Sequence, residues 1–258
     1  MTSRATPTDR PFRVGLVTPS ANPSFENEVI DLLPRGMAAH TARLPEHIGL
    51  DLRARLESYV DDLPDTVRGF GALPLRRVFV GCTGSSYGLG PGGDARWSAE
   101  ASAVTGVPVT TAAGAVKSLL TALSRTRLLL VSPYPEWLTA MCVEHWTNEG
   151  LSVAAADRLR GEISVYERSP ADVHEAVARV AESHTEDDGR TAVVVTGTGV
   201  RSLSALDAAV WRTGLPLLSS NIAVAWAAAN AAGLGDALSQ SSSAALRRLY
   251  TLTRKGHV

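Results

Sequence analysis

The chain repeats itself at a spacing of about half its length, and that repeat constrains the fold more than any single motif. Arg13-Val14-Gly15-Leu16-Val17-Thr18-Pro19-Ser20 aligns with Arg127-Leu128-Leu129-Leu130-Val131-Ser132-Pro133-Tyr134, 114 positions later. Cys82-Thr83-Gly84 aligns with Gly197-Thr198-Gly199 at 115, and Val107-Pro108-Val109-Thr110-Thr111-Ala112-Ala113 with Leu215-Pro216-Leu217-Leu218-Ser219-Ser220-Asn221 at 108. Three blocks in one order at nearly one shift point to two similar units related by a pseudo-two-fold axis.

Within each unit, short apolar or β-branched runs alternate with longer Ala-rich helical patterns. Strands are predicted at 14–17, 38–44, 76–81, 107–109, 127–131, 151–155, 191–195 and 215–218. Helices are predicted over 25–33, 51–71, 94–105, 113–124, 135–149, 170–185, 202–213 and 221–232. This alternation calls for βα units and parallel sheets covered on both faces. The fold class is α/β: two pseudo-symmetric, open, mostly parallel-sheet halves over 12–120 and 121–235, with the active site in the cleft between them. Residues 1–11, polar and without an apolar h-region, read as a disordered leader. Residues 236–258 read as a C-terminal region whose helix, about 236–254, packs back on the first half, with Ser239–Ser243 as a helix start or linker.

With 258 residues the chain can bury a substantial core. Its 25 basic and 26 acidic residues leave a formal net charge of -1, which gives no electrostatic reason to expect nucleic acid or a membrane surface as partner. No apolar run approaches the ~18 residues of a membrane span. Two cysteines, Cys82 and Cys142, make neither a disulfide framework nor a zinc pattern, so no metal is expected and a cytoplasmic location is. The segment Gly88-Leu89-Gly90-Pro91-Gly92-Gly93, flanked by Tyr87 and Trp97, lacks the Lys-Ser/Thr of a phosphate loop, so no nucleotide cofactor is expected. It reads as a mobile or unusually shaped lid.

Four strand-end loops converge on the cleft: Thr18–Asn22, Cys82–Ser86, Ser132–Tyr134 and Thr196–Arg201. They are rich in Ser, Thr, Asn, Tyr and Gly and poor in acids. Such neutral donors and backbone N–H groups suit a carboxylate or an enolate-like oxyanion. Cys82 ends the run Val78–Gly81, placing a thiol at the carboxyl end of a buried strand, and its counterpart in the repeat is Gly197. Cys142 reads as a small core residue. Asn22, before Pro23, can cap a helix, and Ser219-Ser220-Asn221 makes a helix start. His40, His47, His145, His174, His184 and His257 lie outside the converging loops, although His47 and Glu46 can approach the cleft. Asp187-Asp188-Gly189 reads as a solvated turn.

These motifs together resemble the aspartate/glutamate racemase superfamily, and within it the maleate cis-trans isomerase and arylmalonate decarboxylase branch, over about 12–235. The resemblance is carried by Gly15–Asn22, Gly81-Cys82-Thr83, Val131-Ser132-Pro133-Tyr134, and Ser219-Ser220-Asn221 followed by Trp226. It implies cofactor-independent chemistry on a small carboxylate or dicarboxylate, in a homodimer or higher homo-oligomer. It implies Cys82 as the nucleophile that adds to a substrate double bond, so that the resulting single bond can rotate. Asn22 and Tyr134 would then hold carboxylate oxygens, with Thr83, Gly84 and Ser85 on one side and Gly197, Thr198 and Gly199 on the other. Tyr134, or water, would also serve in catalysis as a proton source in place of a second thiol.

The departures narrow this further. Racemases and maleate isomerases of the group carry a second cysteine where this chain has Gly197, and arylmalonate decarboxylases keep only the second-half cysteine, so this chain is their mirror image. Two-thiol racemisation is not expected. The polar residue usual after Cys-Thr is Gly84 here, the Asn usual after the second such pair is Gly199, and a second-half Asn of maleate isomerases falls near Glu162. The expected activity is maleate isomerase-like, on a small unsaturated dicarboxylate or analogue. The alternatives are an arylmalonate-like decarboxylase with Cys82 as proton donor and a non-catalytic carboxylate-binding homologue.

Overall fold

Each half of the chain builds a parallel sheet with the same strand order. The computed structural model describes residues 11–161, 164–182, 184 and 188–255. The expected leader, apart from Pro11, lies outside these, as do Glu162, Asp187 and His257. In the first half β1 (Phe12–Pro19), α1 (Phe25–Leu32), β2 (Met37–Leu44), α2 (Leu52–Arg68), β3 (Arg77–Val80), α3 (Thr83–Tyr87), α4 (Gly93–Thr105), β4 (Val109–Thr111) and α5 (Ala112–Ala122) give the order β2-β1-β3-β4. In the second, β5 (Arg127–Ser132), α6 (Glu136–Asn148), β6 (Ser152–Arg158), a 3-10 turn (Val165–Glu167), α7 (Pro170–Glu182), β7 (Thr191–Val195), α8 (Leu203–Ala209), β8 (Leu217–Ser219) and α9 (Ser220–Ala231) give β6-β5-β7-β8. Every pairing within the two sheets is parallel. The repeated blocks thus occupy equivalent strands, β1 with β5, β3 with β7 and β4 with β8.

The central strands are apolar on both faces because helices cover both. Val78, Phe79 and Val80, Leu128 to Val131, and Ala192 to Val195 are all fully buried. The edge strand β6 instead alternates half-buried and exposed positions, as a strand with one solvent face must. Helices α1, α5 and α9 join the halves, so one core cluster runs from Val14, Leu16 and Phe25 through Val116 to Leu128–Val131 and Ile222. A smaller cluster, with Val17, Tyr59, Leu63 and Trp97, lies on the other face of the first sheet beneath α2 and α4.

Three of the helices begin where the residue before them serves their free N–H groups with its side chain. Asp51 accepts from Ala54 N at the start of α2, Thr111 from Gly114 N at α5 and Ser219 from Ile222 N at α9. The C-terminal region departs from the single helix expected over 236–254. It is a 3-10 stretch (Gly235–Gln240) followed by α10 (Ala244–Lys255). The break is held by Asp207 Oδ1, which accepts from Ser243 Oγ at 2.7 Å and Ala245 N at 2.9 Å. α10 packs on β8 and α8 of the second half, while the 3-10 stretch shares a cavity wall with Asp31–Arg35 of the first. Among the described residues, no helix is long and apolar enough to cross a membrane.

Candidate active site

A cavity of about 480 Å³ opens at the carboxyl ends of β1, β3, β5 and β7. Asn22, Cys82, Thr83, Gly84, Tyr134, Gly197, Thr198 and Gly199 all line it. Ser85 does not. Its hydroxyl donates to the Leu56 carbonyl at 2.8 Å and lies 3.3 Å from Cys82 Sγ, and the residue lines a smaller neighbouring cavity instead. The reason is that residues 83–87 form a helical turn rather than an open loop, which carries Ser85 behind the thiol.

Cys82 is 5% exposed, at the point where β3 runs into α3. The preceding residue has to be glycine: a Cβ at Gly81 would stand 2.4 Å from the Phe25 ring of α1. Burial pushes the Cys82 thiol up, opposed by the Ser85 hydroxyl, the backbone N–H groups of Ser85 and Gly84, and the charge of Arg55.

Asn22 both caps a helix and faces the cavity. Its Oδ1 accepts from Ser24 N at 3.0 Å and Phe25 N at 3.1 Å, opening α1. Its Nδ2 donates to Thr198 Oγ1 at 3.1 Å, and that hydroxyl donates to the Gly81 carbonyl at 2.6 Å. This chain of bonds ties the two strand-end loops across the pseudo-axis. Behind it, buried Glu28 of α1 accepts from Ser202 Oγ (3.0 Å), Leu203 N (2.8 Å) and Asn221 Nδ2 (2.8 Å), and Asn221 Nδ2 also reaches the Thr198 carbonyl at 3.2 Å. Burial pushes the Glu28 carboxyl up against these donors. Asn221 therefore supports the second-half loop from behind and is not part of the lining.

The second half does not simply lack a thiol. Gly197 has φ +89°, in the left-handed region, and a Cβ there would lie 2.8 Å from Pro133 Cγ and 3.1 Å from Tyr134 Oη. The tyrosine hydroxyl thus stands beside the place where a side chain at 197 would begin. It shares a 2.6 Å hydrogen bond with Thr83 Oγ1 of the first half, and burial pushes its phenol up.

The opposite wall was not legible from the motifs. Leu52, Arg55, Leu56 and Tyr59 line the cavity from one face of α2, at helical spacing. Arg158, the last residue of β6, and Leu159, Val165, Tyr166 and Arg168 beyond it also line the cavity. The Tyr166 ring lies where a Cβ at Gly199 would be, 2.7 Å from that position. Three arginines thus join a site expected to offer neutral donors. The apolar spacing in α2 was visible as a helix face, but no local signal says that this face meets the cleft.

Other candidates lie elsewhere. The segment expected as a lid turns from Gly88 to Gly92 outside the large cavity, and Gly88 and Leu89 line the smaller one. His47 Nε2 is 2.6 Å from Asp62 Oδ2, and Glu46 is engaged by Ser20 and Arg55. Cys142 is a core residue, fully buried, with its thiol pushed up to about 11 by desolvation. Among the described residues, no cluster of three or more His, Cys, Asp or Glu has the makings of a metal site.

A family model for arylmalonate decarboxylase matches residues 55–245. The fold is also that of several solved structures. A Nocardia farcinica maleate cis-trans isomerase, a cysteine-to-serine mutant with a covalently bound succinylcysteine intermediate, superposes with a TM-score of 0.79 at 23% identity, covering 92% of this chain and 98% of that one. A Pseudomonas putida maleate isomerase with maleate gives 0.76 at 24% identity, covering 87% and 93%. An arylmalonate decarboxylase gives 0.70 at 21% identity, covering 86% and 92%. No individually curated protein matches the chain by sequence.

Proposed function

The chain belongs to the arylmalonate decarboxylase family, and from that premise we propose that it is a cofactor-independent, maleate isomerase-like enzyme that acts on a small unsaturated dicarboxylate or analogue through Cys82. The observation that carries this reading is the single thiol of Cys82 in a cavity ringed by neutral donors, with the Tyr134 hydroxyl beside the Gly197 position.

In the proposed reaction the Cys82 thiolate bonds to one alkene carbon and the π electron pair moves to its neighbour. There it is delocalised into the attached carboxylate, whose growing charge meets the one free hydrogen of the Thr83–Tyr134 hydroxyl pair, the free hydrogen of Asn22 Nδ2 and loop N–H groups, while the Thr198 hydroxyl, donating to Gly81, holds Asn22 in place. The former double bond is now single and rotates. Return of the electron pair expels the thiolate and leaves the trans alkene. Tyr134 is the proton source for the carbanion if it is trapped on the way.

A second reading has its own support. Burial favours the protonated Cys82 thiol, and a thiol is what a decarboxylase needs to protonate an enediolate after carbon dioxide leaves. We also propose a homodimer or higher homo-oligomer, to be read by light scattering, and a cytoplasmic location, in keeping with two free thiols.

Incubation with maleate and with phenylmalonate separates the readings: fumarate marks the isomerase, carbon dioxide the decarboxylase. Mass spectrometry of the quenched isomerase reaction should show an adduct on Cys82. Full turnover by Cys82→Ser on whichever compound reacts would sink both.

A further inference from the structure

The cavity has a second, cationic wall that the proposed chemistry leaves unused. Arg168 is 4% exposed, yet among the described residues no carboxylate forms an ion pair with it. Its Nη1 donates to the Arg160 carbonyl and its Nη2 to that of Gly161 at 2.5 Å, while its Nε is buried with no hydrogen-bond partner among the described residues. Asp172 feels its charge, but the Asp172 carboxylate is held by the N–H and hydroxyl of Ser169, each at 2.9 Å. Carbonyl oxygens orient a guanidinium without neutralising it, and a buried cation without an anion is costly to keep. Arg168 lines the cavity, so an anion bound there would supply the charge that no described residue pairs with it.

The rest of that wall is equally undercommitted. Arg55, on the same lining, has among the described residues only a 3.5 Å ion pair with the half-exposed Glu46. The hydroxyls of Tyr59 and Tyr166 make no hydrogen bond to protein among the described residues, although both residues line the cavity. The cavity, at about 480 Å³, is also of the size that encloses a drug-sized molecule rather than a four-carbon diacid. Leu52, Leu56, Leu138 and Leu159 supply apolar lining for the added bulk.

We propose that Arg168, seconded by Arg55, is a substrate-binding residue, and that the substrate carries a carboxylate or comparable anion remote from its reacting carbons, joined to them by an apolar body. This rests on the reading of the Cys82 side as a carboxylate site. The substrate class is therefore an unsaturated dicarboxylate analogue longer than four carbons, with two separated anionic ends. Arg is suited to the task because its planar fork pairs with a carboxylate even when two of its N–H groups are already engaged.

Calorimetry with inert saturated probes tests this on the full chain: α,ω-dicarboxylates from succinate to suberate, each against the monocarboxylate of equal length. The wild type should prefer a dicarboxylate longer than succinate by at least about tenfold, the range expected of a charge-assisted pair. Arg168→Met should erase that preference while monocarboxylate affinity stays, and Arg55→Met, at a partly exposed site where folding is not at risk, should reduce it several-fold. Arg168→Lys, which keeps the charge, should retain part of it and covers the case in which the methionine variant fails to fold. Equal affinity for dicarboxylates and monocarboxylates in the wild type would overturn the inference while leaving the carboxylate site intact. Absence of binding by every probe would overturn both.

Discussion

The two halves surround one cavity with the same strand order, yet the ends of β3 and β7 are built for different tasks. At the first, Cys82 has an extended φ of -143° and its thiol is held against Ser85 and the turn of α3. At the second, Gly197 takes φ +89° and the space beside it belongs to Pro133 and Tyr134 from the next loop. A repeat that preserves a backbone does not preserve its side-chain chemistry. Where the first half presents a thiol, the second presents a wall with a phenol on it, so the two ends differ in kind rather than repeat one another.

Three tests would break or sharpen that contrast. Removing the phenol should matter most: Tyr134→Phe should lower kcat by about 100-fold, the lower range for loss of one hydrogen-bond donor to a growing oxyanion charge, with Cys82 still alkylated by iodoacetamide. An unchanged kcat would make Tyr134 part of the wall only. The pH profile comes next. Burial raises the Cys82 thiol, so at neutral pH the thiol predominates. If the thiolate adds, kcat/KM should climb about tenfold per pH unit and level off above the thiol pKa; if the thiol protonates, the rate should be flat at neutral pH and fall above it. The smallest effect is on stability. Gly197→Ala should cost about 1–3 kcal/mol in urea unfolding, because it forces a side chain into the left-handed region and against the Pro133 ring. Unaltered stability would mean that the wall yields and that a thiol there is merely missing.

Much of the fold was readable without coordinates because central parallel strands are buried on both faces and leave continuous apolar runs. Val78–Val80 and Thr191–Val195 are of that kind, and the repeat carried their equivalence. The strand-end loops were readable for a similar reason: Asn22, Cys82, Thr83, Tyr134 and Thr198 sit within a few residues of a strand terminus, so a local motif places them. Ser85 escaped because three positions along a helical turn lead away from the cavity, whereas an open loop would not. The α2 face escaped because Leu52, Arg55, Leu56 and Tyr59 look alike whether a helix covers a sheet or roofs a cleft. The C-terminal helix is shorter than expected because its break depends on Asp207, far away in sequence.

By itself the sequence determined two α/β halves of equal topology, one thiol at a strand end and a glycine at its counterpart, since periodicity, glycine and strand-terminal motifs are local properties of a chain. Only the tertiary structure decided that Tyr134 stands beside the Gly197 position, that Asn22 and Thr198 stitch the halves together, and that Arg168 is buried at the cavity without an acid among the described residues. Those outcomes depend on which surfaces meet when two sheets share one core, and no stretch of residues carries that information alone.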